Sequence, residues 1–469
     1  MRISIIGAGI SGLSAALRLN CLNKENNSGL EITLFEKSGR AGGNISTKIE
    51  NGIIIEEGAD SFITSKPWGV ELCRELGIEN QLLSTNDTNR KTYIYFDGKL
   101  NELPEGFFLM APSNLEAFKK SPFFSDEGKK RILEEQEVES RKDTGDESLE
   151  SFVLRRFGRE LLDKVAQPLI GGIYTGDPSK LSVKAILPEF AAMEEKQGSV
   201  IRGVVEKYGT SEISRKESGA RYGLFVSFKE GLSVLINSII CAMPDVKVRF
   251  NTGIKTVSKN GDKWSLATDA GEEIESDAVI ISGPSYISSG LIQNTDNILS
   301  GLLGNISYES SVVINMVFNK HDCPGLPEGF GVVVPHTEKM NIIACSFSSH
   351  KFSGRVPDNY EIVRCFLGGA FNPGILKCDD TEITDYALKD LKTLFNIEAG
   401  PVKSDIYRYP DSMPQYTIGY LDLLGKIQAQ LDNYPTLALS GNAYGGIGIP
   451  DSIKSGNDAA QRIFHNLVN

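Results

Sequence analysis

The chain has 469 residues, of which 40% are hydrophobic, enough for sizeable buried cores and for two or three domains. Its 49 basic and 61 acidic side chains give a formal net charge of −12. This balance argues against a nucleic-acid partner, because phosphate backbones are bound by clustered positive charge. No apolar run reaches the roughly 18 residues of a membrane-spanning helix, so none is predicted.

The start of the chain and its cysteines bear on location. The N-terminus leads straight into a strand-like run, without the charged and apolar regions of a secretory signal. The seven cysteines show no CxxC pattern and no regular spacing, which is typical of reduced thiols. We therefore expect a cytoplasmic protein. The four histidines show no metal-ligand spacing, so no metal site is predicted.

The first predicted element is a β-branched strand over residues 2–6, which ends in a glycine-rich turn before a helix. Gly7 permits the tight turn, Gly9 has no side chain to keep a ligand from the backbone, and Gly12 lets the helix lie close to the strand. Phosphate oxygens would then meet the positive end of the helix. The pattern predicts a dinucleotide site, formed by Gly7, Gly9, Ile10, Ser11 and Gly12.

A second predicted strand, residues 31–35, ends at Glu36. Glu36 falls 24 residues after Gly12. This is close to the roughly 20-residue spacing expected of a carboxylate that accepts hydrogen bonds from ribose hydroxyls. Arg40 and the pair 42–43, two glycines, follow directly. An arginine beside a bare backbone would meet the same pyrophosphate from its other side.

Two aromatic stretches, residues 106–112 and 118–124, stand beside lysines. If their rings are exposed, this patch fits peripheral contact with a membrane surface. A core or the mouth of a substrate site are the alternatives. A helix is predicted over residues 149–164, with the arginines at 155, 156 and 159 on a solvated side.

From residue 310 onwards, successive strand candidates with turn-rich connections predict an antiparallel sheet, which can form the floor of a large apolar pocket. A final predicted strand, 436–440, opens into a glycine loop over 441–448, and Asp451 is the predicted N-cap of the helix that follows. Free amides at such a helix start suit a flavin, whose reduced ring carries negative charge.

The series Glu36, Arg40 and 42–43 resembles the ExxxRxGG pattern of the flavoprotein family that includes monoamine oxidases, phytoene desaturases and protoporphyrinogen oxidases. Over almost its full length, the chain is similar to the oxygen-dependent porphyrinogen oxidases, which act on protoporphyrinogen or coproporphyrinogen III. The more specific stretches are GGIYTGD at 171–177, MPQYTIG at 413–419 and the glycine loop that ends in GIPD at 451.

This resemblance implies an FAD cofactor, a tetrapyrrole substrate and dioxygen. Hydride would leave a meso carbon for flavin N5, an NH proton would be lost, and dioxygen would reoxidise the flavin to give hydrogen peroxide. Because the cofactor carries the electrons, no catalytic side chain is assigned. The motifs and the resemblance together predict these cofactor-binding residues: Gly7, Gly9, Ile10, Ser11, Gly12, Glu36, Lys37, Arg40, Gly42, Gly43, Gly58, Ala59, Asp60, Ser61, Ile254, Gly441, Asn442, Gly448, Ile449 and Pro450.

The resemblance also implies substrate contacts at Gly172, Phe330 and Val333. Some relatives place a propionate-binding arginine near residues 107–109, where this chain has none, and Lys66 is the substitute we consider. The predicted fold is mixed α/β in three units. These are a Rossmann-like FAD-binding domain (1–48, 220–290 and 405–469), a discontinuous antiparallel-sheet substrate domain (49–95, 182–219 and 291–404) and a helical insertion (96–181) that carries the aromatic stretches.

Two other functions stay open on the sequence. An amine oxidase or a carotenoid desaturase would share the fold, and a non-catalytic binding protein would share it without turnover, as GDP-dissociation inhibitors do. The choice between protoporphyrinogen IX and coproporphyrinogen III is also open. So are a homodimer and contacts with neighbouring haem-pathway enzymes.

Overall fold

The computed structural model describes residues 1–86, 90–143, 145–208 and 225–468. It confirms the predicted mixed α/β fold, with one parallel sheet and one large mixed sheet. The predicted boundary between 219 and 220 lies outside the described residues, and the division into domains stays a prediction. Among the described residues, no helix combines the length and the apolar character needed to cross a bilayer.

The parallel sheet has five strands, and its central strands are apolar because both of its faces are covered. Ala278–Ser282, for example, is buried along its whole length. Counted along the chain, the spatial order is third, second, first, fourth and fifth, which is the order of dinucleotide-binding Rossmann folds. In that order the strands are Lys247–Arg249, Glu31–Phe35, Arg2–Ile6, Ala278–Ser282 and Leu437–Ser440.

Three helices cover this sheet, namely Ile10–Asn26, Ser233–Ala242 and Ile449–Val468. The first and the last of them touch through Gly456. A Cβ atom at Gly456 would collide with the carbonyl oxygen of Ser11 and would come within 3.0 Å of the Ala15 nitrogen. Only a residue without a side chain allows this close contact, which brings the two ends of the chain together.

The large sheet has seven strands. It differs from the antiparallel sheet that we predicted at one pair, because Gly331–Val333 runs parallel to Thr92–Phe96. These two strands are more than 230 residues apart, and local sequence patterns carry no information on such a pairing. In spatial order the strands are Lys403–Pro414, Tyr308–Asn319, Tyr360–Gly368, Ile342–Phe347, Gly331–Val333, Thr92–Phe96 and Lys99–Glu102.

The other strands form small sheets. One three-stranded sheet contains Phe62–Ile63, Phe225–Phe228 and Leu82–Ser84, and a second contains Ile254–Asn260, Lys263–Thr268 and Glu273–Ser276. Two further sheets have two strands each: Thr47–Glu50 pairs with Ile53–Glu56, and Phe107–Phe108 pairs with Ala111–Pro112. The remaining α-helices are Trp68–Glu75, Leu115–Lys120, Asp126–Leu133, Leu149–Arg156, Arg159–Leu161, Gln167–Tyr174, Val183–Ile186, Pro188–Gln197, Val200–Tyr208, Ser285–Ile292, Asn297–Gly304, Ser348–Lys351, Asp380–Phe395 and Tyr420–Leu431.

The helical insertion corrects one expectation about charge. Arg156, predicted to be solvated, is fully buried, and its Nε donates to the Glu135 carboxylate at 2.7 Å. Glu135 also accepts from the amides of Val200 and Ile201 at 2.8 and 3.1 Å. A buried ion pair of this kind is tolerated because the nitrogens of Arg156 and both carboxylate oxygens of Glu135 have hydrogen-bond partners. These contacts join the helix Val200–Tyr208 to the insertion.

The aromatic stretches of the insertion are also placed differently from the exposed patch that we considered. The rings of Phe107, Phe118 and Phe124 are at most 2% exposed, and those of Phe108 and Phe123 are at most 6% exposed. Phe107 stacks on Phe124 with 6.0 Å between ring centroids. These rings form a hydrophobic core, and they provide no apolar surface for a membrane.

The contact at Gly456 generates a stability prediction. We expect Gly456→Ala to lower the free energy of unfolding by about 1–3 kcal/mol, because the first and last helices must move apart. Gly425→Ala is the matched control, since Gly425 lies in the helix Tyr420–Leu431 with no atom near its missing Cβ. That change should be neutral or stabilise by up to about 1 kcal/mol. Chemical denaturation of both variants measures the difference, and equal effects would contradict the close contact.

Candidate functional site

Three adjacent parallel strands end side by side at Gly7, Gly283 and Gly441. The Gly283 amide donates to the carbonyl of Ser440 at 3.2 Å. A Cβ atom at Gly441 would approach the Gly283 oxygen to 3.1 Å, and one at Gly7 would collide with the carbonyl oxygen of Ser282. The two glycine loops, over residues 7–12 and 441–448, therefore meet at the carboxyl edge of one sheet, where α/β folds of this kind bind their ligands.

Glu36 lies against the first glycine loop. One carboxylate oxygen accepts from the Ala8 amide at 2.8 Å, and the other accepts from the Ser38 amide at 2.8 Å. The first helix begins at Ile10, and no side chain caps its N-terminus. Its first amides are therefore left for a ligand. A carboxylate and free amides stand together here, as a nucleotide requires.

A second turn of backbone, around Gly42 and Gly43, closes over the first loop. The Gly42 amide donates to the Ala8 carbonyl at 2.8 Å, and a Cβ at Gly43 would be 3.3 Å from the Cα of Gly9. Arg40 donates to the carbonyls of Gly43 at 2.8 Å and Ile45 at 3.3 Å. These bonds hold the turn closed, and the contact of Arg40 with the cofactor phosphates stays a prediction.

Gly9 tests whether these residues fit a pyrophosphate. The missing Cβ of Gly7 and that of Gly12 would each collide with backbone, but a Cβ at Gly9 would meet no atom within 4 Å. Gly9 therefore faces open space, beside free amides and next to the carboxylate of Glu36. The residues present fit a dinucleotide phosphate at this position.

Lys37 and Ile254 lie on either side of Gly253, at the outer end of this site. The missing Cβ of Gly253 would be 3.4 Å from the Cγ of Lys37, and Ile254 begins the next strand. The Thr252 amide donates to the Glu36 carbonyl at 2.9 Å. The structure therefore brings Lys37 and Ile254 close to Glu36.

The second glycine loop leads into a helix that begins earlier than predicted. The helix starts at Ile449, so Asp451 lies in its first turn and is not its N-cap. The Asp451 carboxylate accepts from the Gly448 amide at 3.3 Å and from Lys66 Nζ at 2.6 Å. Lys66, considered above for a substrate propionate, therefore pairs with the first turn of this helix. Its role towards substrate stays a prediction. The loop before the helix, residues 441–448, is called the flavin loop below, because its sequence suits a flavin.

Residues 58–61 are bound by charged side chains of the large sheet and of the short helix Ser348–Lys351 beside it. Arg364 donates to the Gly58 carbonyl, and Lys351 Nζ contacts both Asp60 carboxylate oxygens at 3.0 Å. Lys351 also donates to the Ser61 hydroxyl at 2.9 Å. Burial alone would raise the pKa of Asp60, but Lys351 and Arg364 hold it well below its usual value. Asp60 is therefore an anchor for this segment, which includes Ala59.

The candidate substrate residues are only partly brought together. Gly172 faces Val333, with 3.9 Å between its missing Cβ and a Val333 methyl group. Phe330 is half-buried and directly precedes the strand Gly331–Val333. A cleft of about 260 Å³ opens beside Gly172, and it includes open solvent. It is lined by Gln167, Gly171, Gly172, Val334, Ile343 and Phe371, among others.

Two functional candidates escaped sequence reasoning. Tyr416 donates its hydroxyl to the Asn442 carbonyl, and Tyr420 donates to the Ala443 carbonyl, both at 2.5 Å. Both tyrosines lie in or directly after the MPQYTIG stretch. The sequence marks that stretch as specific, but it carries no signal for contact with the flavin loop.

The family model described as flavin-containing amine oxidoreductase matches residues 10–464. The chain belongs to this family, and it is a flavin-dependent oxidoreductase. The predicted family is confirmed.

Relatives of known name narrow the comparison. Coproporphyrinogen III oxidase of Bacillus subtilis (strain 168) is 31% identical over 458 residues, which cover 97% of this chain and 96% of that protein. Coproporphyrinogen III oxidase of Staphylococcus aureus (strain NCTC 8325 / PS 47) is 28% identical, with 99% of each chain covered. A crystal structure from Exiguobacterium sp. 255-15, whose provisional name is protoporphyrinogen oxidase, superimposes with a TM-score of 0.86 at 27% identity and covers 98% of both chains.

The buried Glu56 lies two residues before the segment 58–61, and the pKa of its carboxyl group leads to a prediction about stability and pH. Burial raises the pKa of Glu56 from 4.5 to about 7, against the opposing effects of Thr47 and Arg355. Between these two values the folded chain holds a proton that the unfolded chain has released. The stability that Glu56 contributes is therefore fully present below about pH 4.5, and about 3 kcal/mol of it is lost as the pH rises to about 7.

In Glu56→Gln this loss should disappear. We expect the free energy of unfolding of the wild-type chain to fall between pH 5 and pH 8 by up to about 3 kcal/mol more than that of the variant. Chemical denaturation of both proteins at the two pH values measures it. Parallel pH dependence in the two proteins would show that Glu56 is ionised in the folded state.

Proposed function

We propose that the chain is an FAD-dependent oxidase that converts a porphyrinogen to the porphyrin, with dioxygen as electron acceptor and hydrogen peroxide as by-product. The observation that carries this proposal is the meeting of two glycine loops at the carboxyl edge of one sheet. An edge of this kind holds a dinucleotide along its length. The second loop adds a helix N-terminus, which suits a flavin because the reduced flavin ring carries negative charge.

The first loop would hold the adenosine and phosphate half of FAD. Glu36 would accept from the ribose hydroxyls, and the amides around Gly9 would donate to phosphate oxygens. Arg40 would keep the second turn closed over them. The Ile254 backbone lies at the edge where the adenine would end.

The second loop would hold the flavin half. Asn442 and the first turn of the last helix, from Gly448 to Pro450, would meet the ribityl chain and the ring, and the helix N-terminus would favour negative charge there. When bound, the flavin would accept hydride and pass the electrons to dioxygen. The protein would bind, orient and keep water out, which agrees with the absence of a predicted side-chain base.

The substrate class follows from the two bacterial relatives, both named coproporphyrinogen III oxidase. Their identity to this chain favours coproporphyrinogen III over protoporphyrinogen IX as the first substrate to test. Gly172 and Val333 would form one wall of its site.

We also propose a cytoplasmic location. The seven cysteines show no CxxC pattern and no regular spacing, which is typical of a protein in a reducing compartment. Peripheral membrane contact, a homodimer and contacts with haem-pathway enzymes stay predictions.

A turnover assay tests the proposal. The purified chain with FAD should convert coproporphyrinogen III to its porphyrin, followed by porphyrin fluorescence, with hydrogen peroxide formed in proportion. Protoporphyrinogen IX and a panel of primary amines run in parallel. Oxidation of amines without oxidation of either porphyrinogen would favour an amine oxidase, and a purified chain that retains no flavin would favour a binding protein.

Two glycine variants should impair different steps, one the binding of FAD and the other the turnover of substrate. Gly9→Ala places a methyl group in the open space beside the first loop, so we expect FAD affinity to fall by about tenfold or more while the flavin-free fold keeps its melting temperature. Gly172→Val narrows the substrate wall, so kcat/KM should fall by about tenfold with FAD affinity unchanged. Gly400→Ala, whose Cβ also meets no atom, is the control for both. Flavin titration and steady-state kinetics separate the two effects.

A further inference from the structure

The segment 413–420 lies between two parts of the candidate site, and the proposed function gives it no role. One part is the candidate substrate wall, which is formed by Gly172 on the helix Gln167–Tyr174 and by Val333. The other part is the flavin loop, residues 441–448.

The segment includes the end of a strand of the large sheet, Lys403–Pro414, and the start of the helix Tyr420–Leu431. Its backbone is anchored, since the Ser182 amide donates to the Tyr416 carbonyl at 2.8 Å and the Gln415 amide donates to the Ser307 carbonyl at 2.8 Å. A segment anchored in this way can fix the position of the flavin loop relative to the substrate wall.

On one side of the segment stand two stacked tyrosines. The rings of Tyr416 and Tyr420 are parallel within 14°, with 4.2 Å between their centroids, and both side chains are 3% exposed. Their hydroxyls donate to the carbonyls of Asn442 and Ala443 at 2.5 Å. Burial raises the pKa of both tyrosines well above the usual value, so both hydroxyls remain donors at any physiological pH.

Fixing these carbonyls also fixes the loop amides. The peptide unit is planar and trans, so the N–H of Ala443 points away from the Asn442 carbonyl. With that carbonyl bound by Tyr416, the Ala443 amide is turned away from the tyrosine pair. Asn442 itself is held by its side-chain amide, which donates to the Ser412 carbonyl at 3.3 Å.

On the other side of the segment, Gln415 grips the candidate substrate wall. Its Nε2 donates to the Tyr174 carbonyl at 2.8 Å, at the end of the helix Gln167–Tyr174 that carries Gly172. The Tyr174 ring in turn contacts the ring of Tyr416, with 5.9 Å between centroids. One segment therefore contacts both the flavin loop and the helix that carries Gly172.

We propose that Tyr416, Tyr420 and Gln415 are positioning residues, which set the flavin loop against the substrate wall. The inference rests on the proposed function. The two tyrosines orient the flavin loop through its carbonyls, and Gln415 fixes the end of the wall helix. The distance between hydride donor and hydride acceptor then depends on this segment, since small misplacements of reacting groups cost large factors in rate.

Hydroxyl deletion tests the tyrosine half of the proposal. Tyr416→Phe and Tyr420→Phe keep the stacked rings and leave one buried carbonyl without its donor. Each should weaken FAD binding by about tenfold, and the visible circular dichroism of bound flavin should change. Tyr434→Phe is the matched control, because Tyr434 lies before the last strand, at the end away from the flavin loop, with its ring 5.9 Å from that of Trp264. It should leave both readouts unchanged.

Gln415→Leu tests the other half. It keeps the volume of the side chain and removes the bond to Tyr174, so we expect kcat to fall by about tenfold while FAD affinity and the flavin spectrum stay as in the wild-type chain. The tyrosine variants and Gln415→Leu should thus differ in which readout moves.

The outcomes are distinguishable. A wild-type chain that binds FAD, with tyrosine variants of unchanged affinity and unchanged spectrum, would overturn the positioning role and leave the proposed function intact. So would a fall in the melting temperature of the flavin-free tyrosine variants large enough to account for their loss of flavin. A wild-type chain that binds no FAD would overturn the proposed function and this inference together.

Discussion

The contact between the first and the last helix is the constraint on which the site depends. Gly456 lets the two helices touch at Ser11 and Ala15, and the strand before the last helix completes the parallel sheet. Two loops from opposite ends of the chain are thereby presented at one edge, with their helix N-termini close to each other. No local feature of either loop could produce this arrangement alone, because each supplies only half of the surface that a dinucleotide with a flavin covers.

A second constraint joins residues 56–61 to the large sheet and the segment beside it. Behind residues 56–61, the carboxyl groups of Glu56 and Asp60 meet three cations, Lys351, Arg355 and Arg364, and both arginines are 2% exposed. Burying so many charges is expensive, and a buried ion pair is weak evidence for net stability. We infer that the cluster fixes where the segment with Gly58 and Ala59 lies.

The local elements were predictable because their signals are local. The strands Arg2–Ile6 and Glu31–Phe35 have the predicted bounds, since period and turn residues lie within each segment. Contacts between distant segments were not predictable. The parallel pairing of Thr92–Phe96 and the hydroxyl of Tyr416 on the flavin loop depend on residues that the chain brings together only on folding.

Burial of particular side chains was equally beyond local patterns. Phe107 beside lysines fits a core as well as a membrane patch, and the charge of Arg156 suggests solvent until its partner Glu135 is known. Sequence reasoning found the glycines of the site because a missing side chain is itself the signal. It missed the tyrosines because a tyrosine that holds a carbonyl has the same residue pattern as one that fills a core.

Three backbone carbonyls of the site are each bound by a side chain. Arg40 binds the carbonyl of Gly43, Arg364 binds that of Gly58, and Tyr416 binds that of Asn442. In a planar trans peptide the next amide points the opposite way, so each of these bonds turns an N–H group away from the side chain that holds the carbonyl. Such amides donate to an anion without any charged side chain of their own. The proposed site would meet negative charge on a phosphate at one end and on a reduced ring at the other. Backbone amides can bind both charges, while the arginines and tyrosines hold the carbonyls.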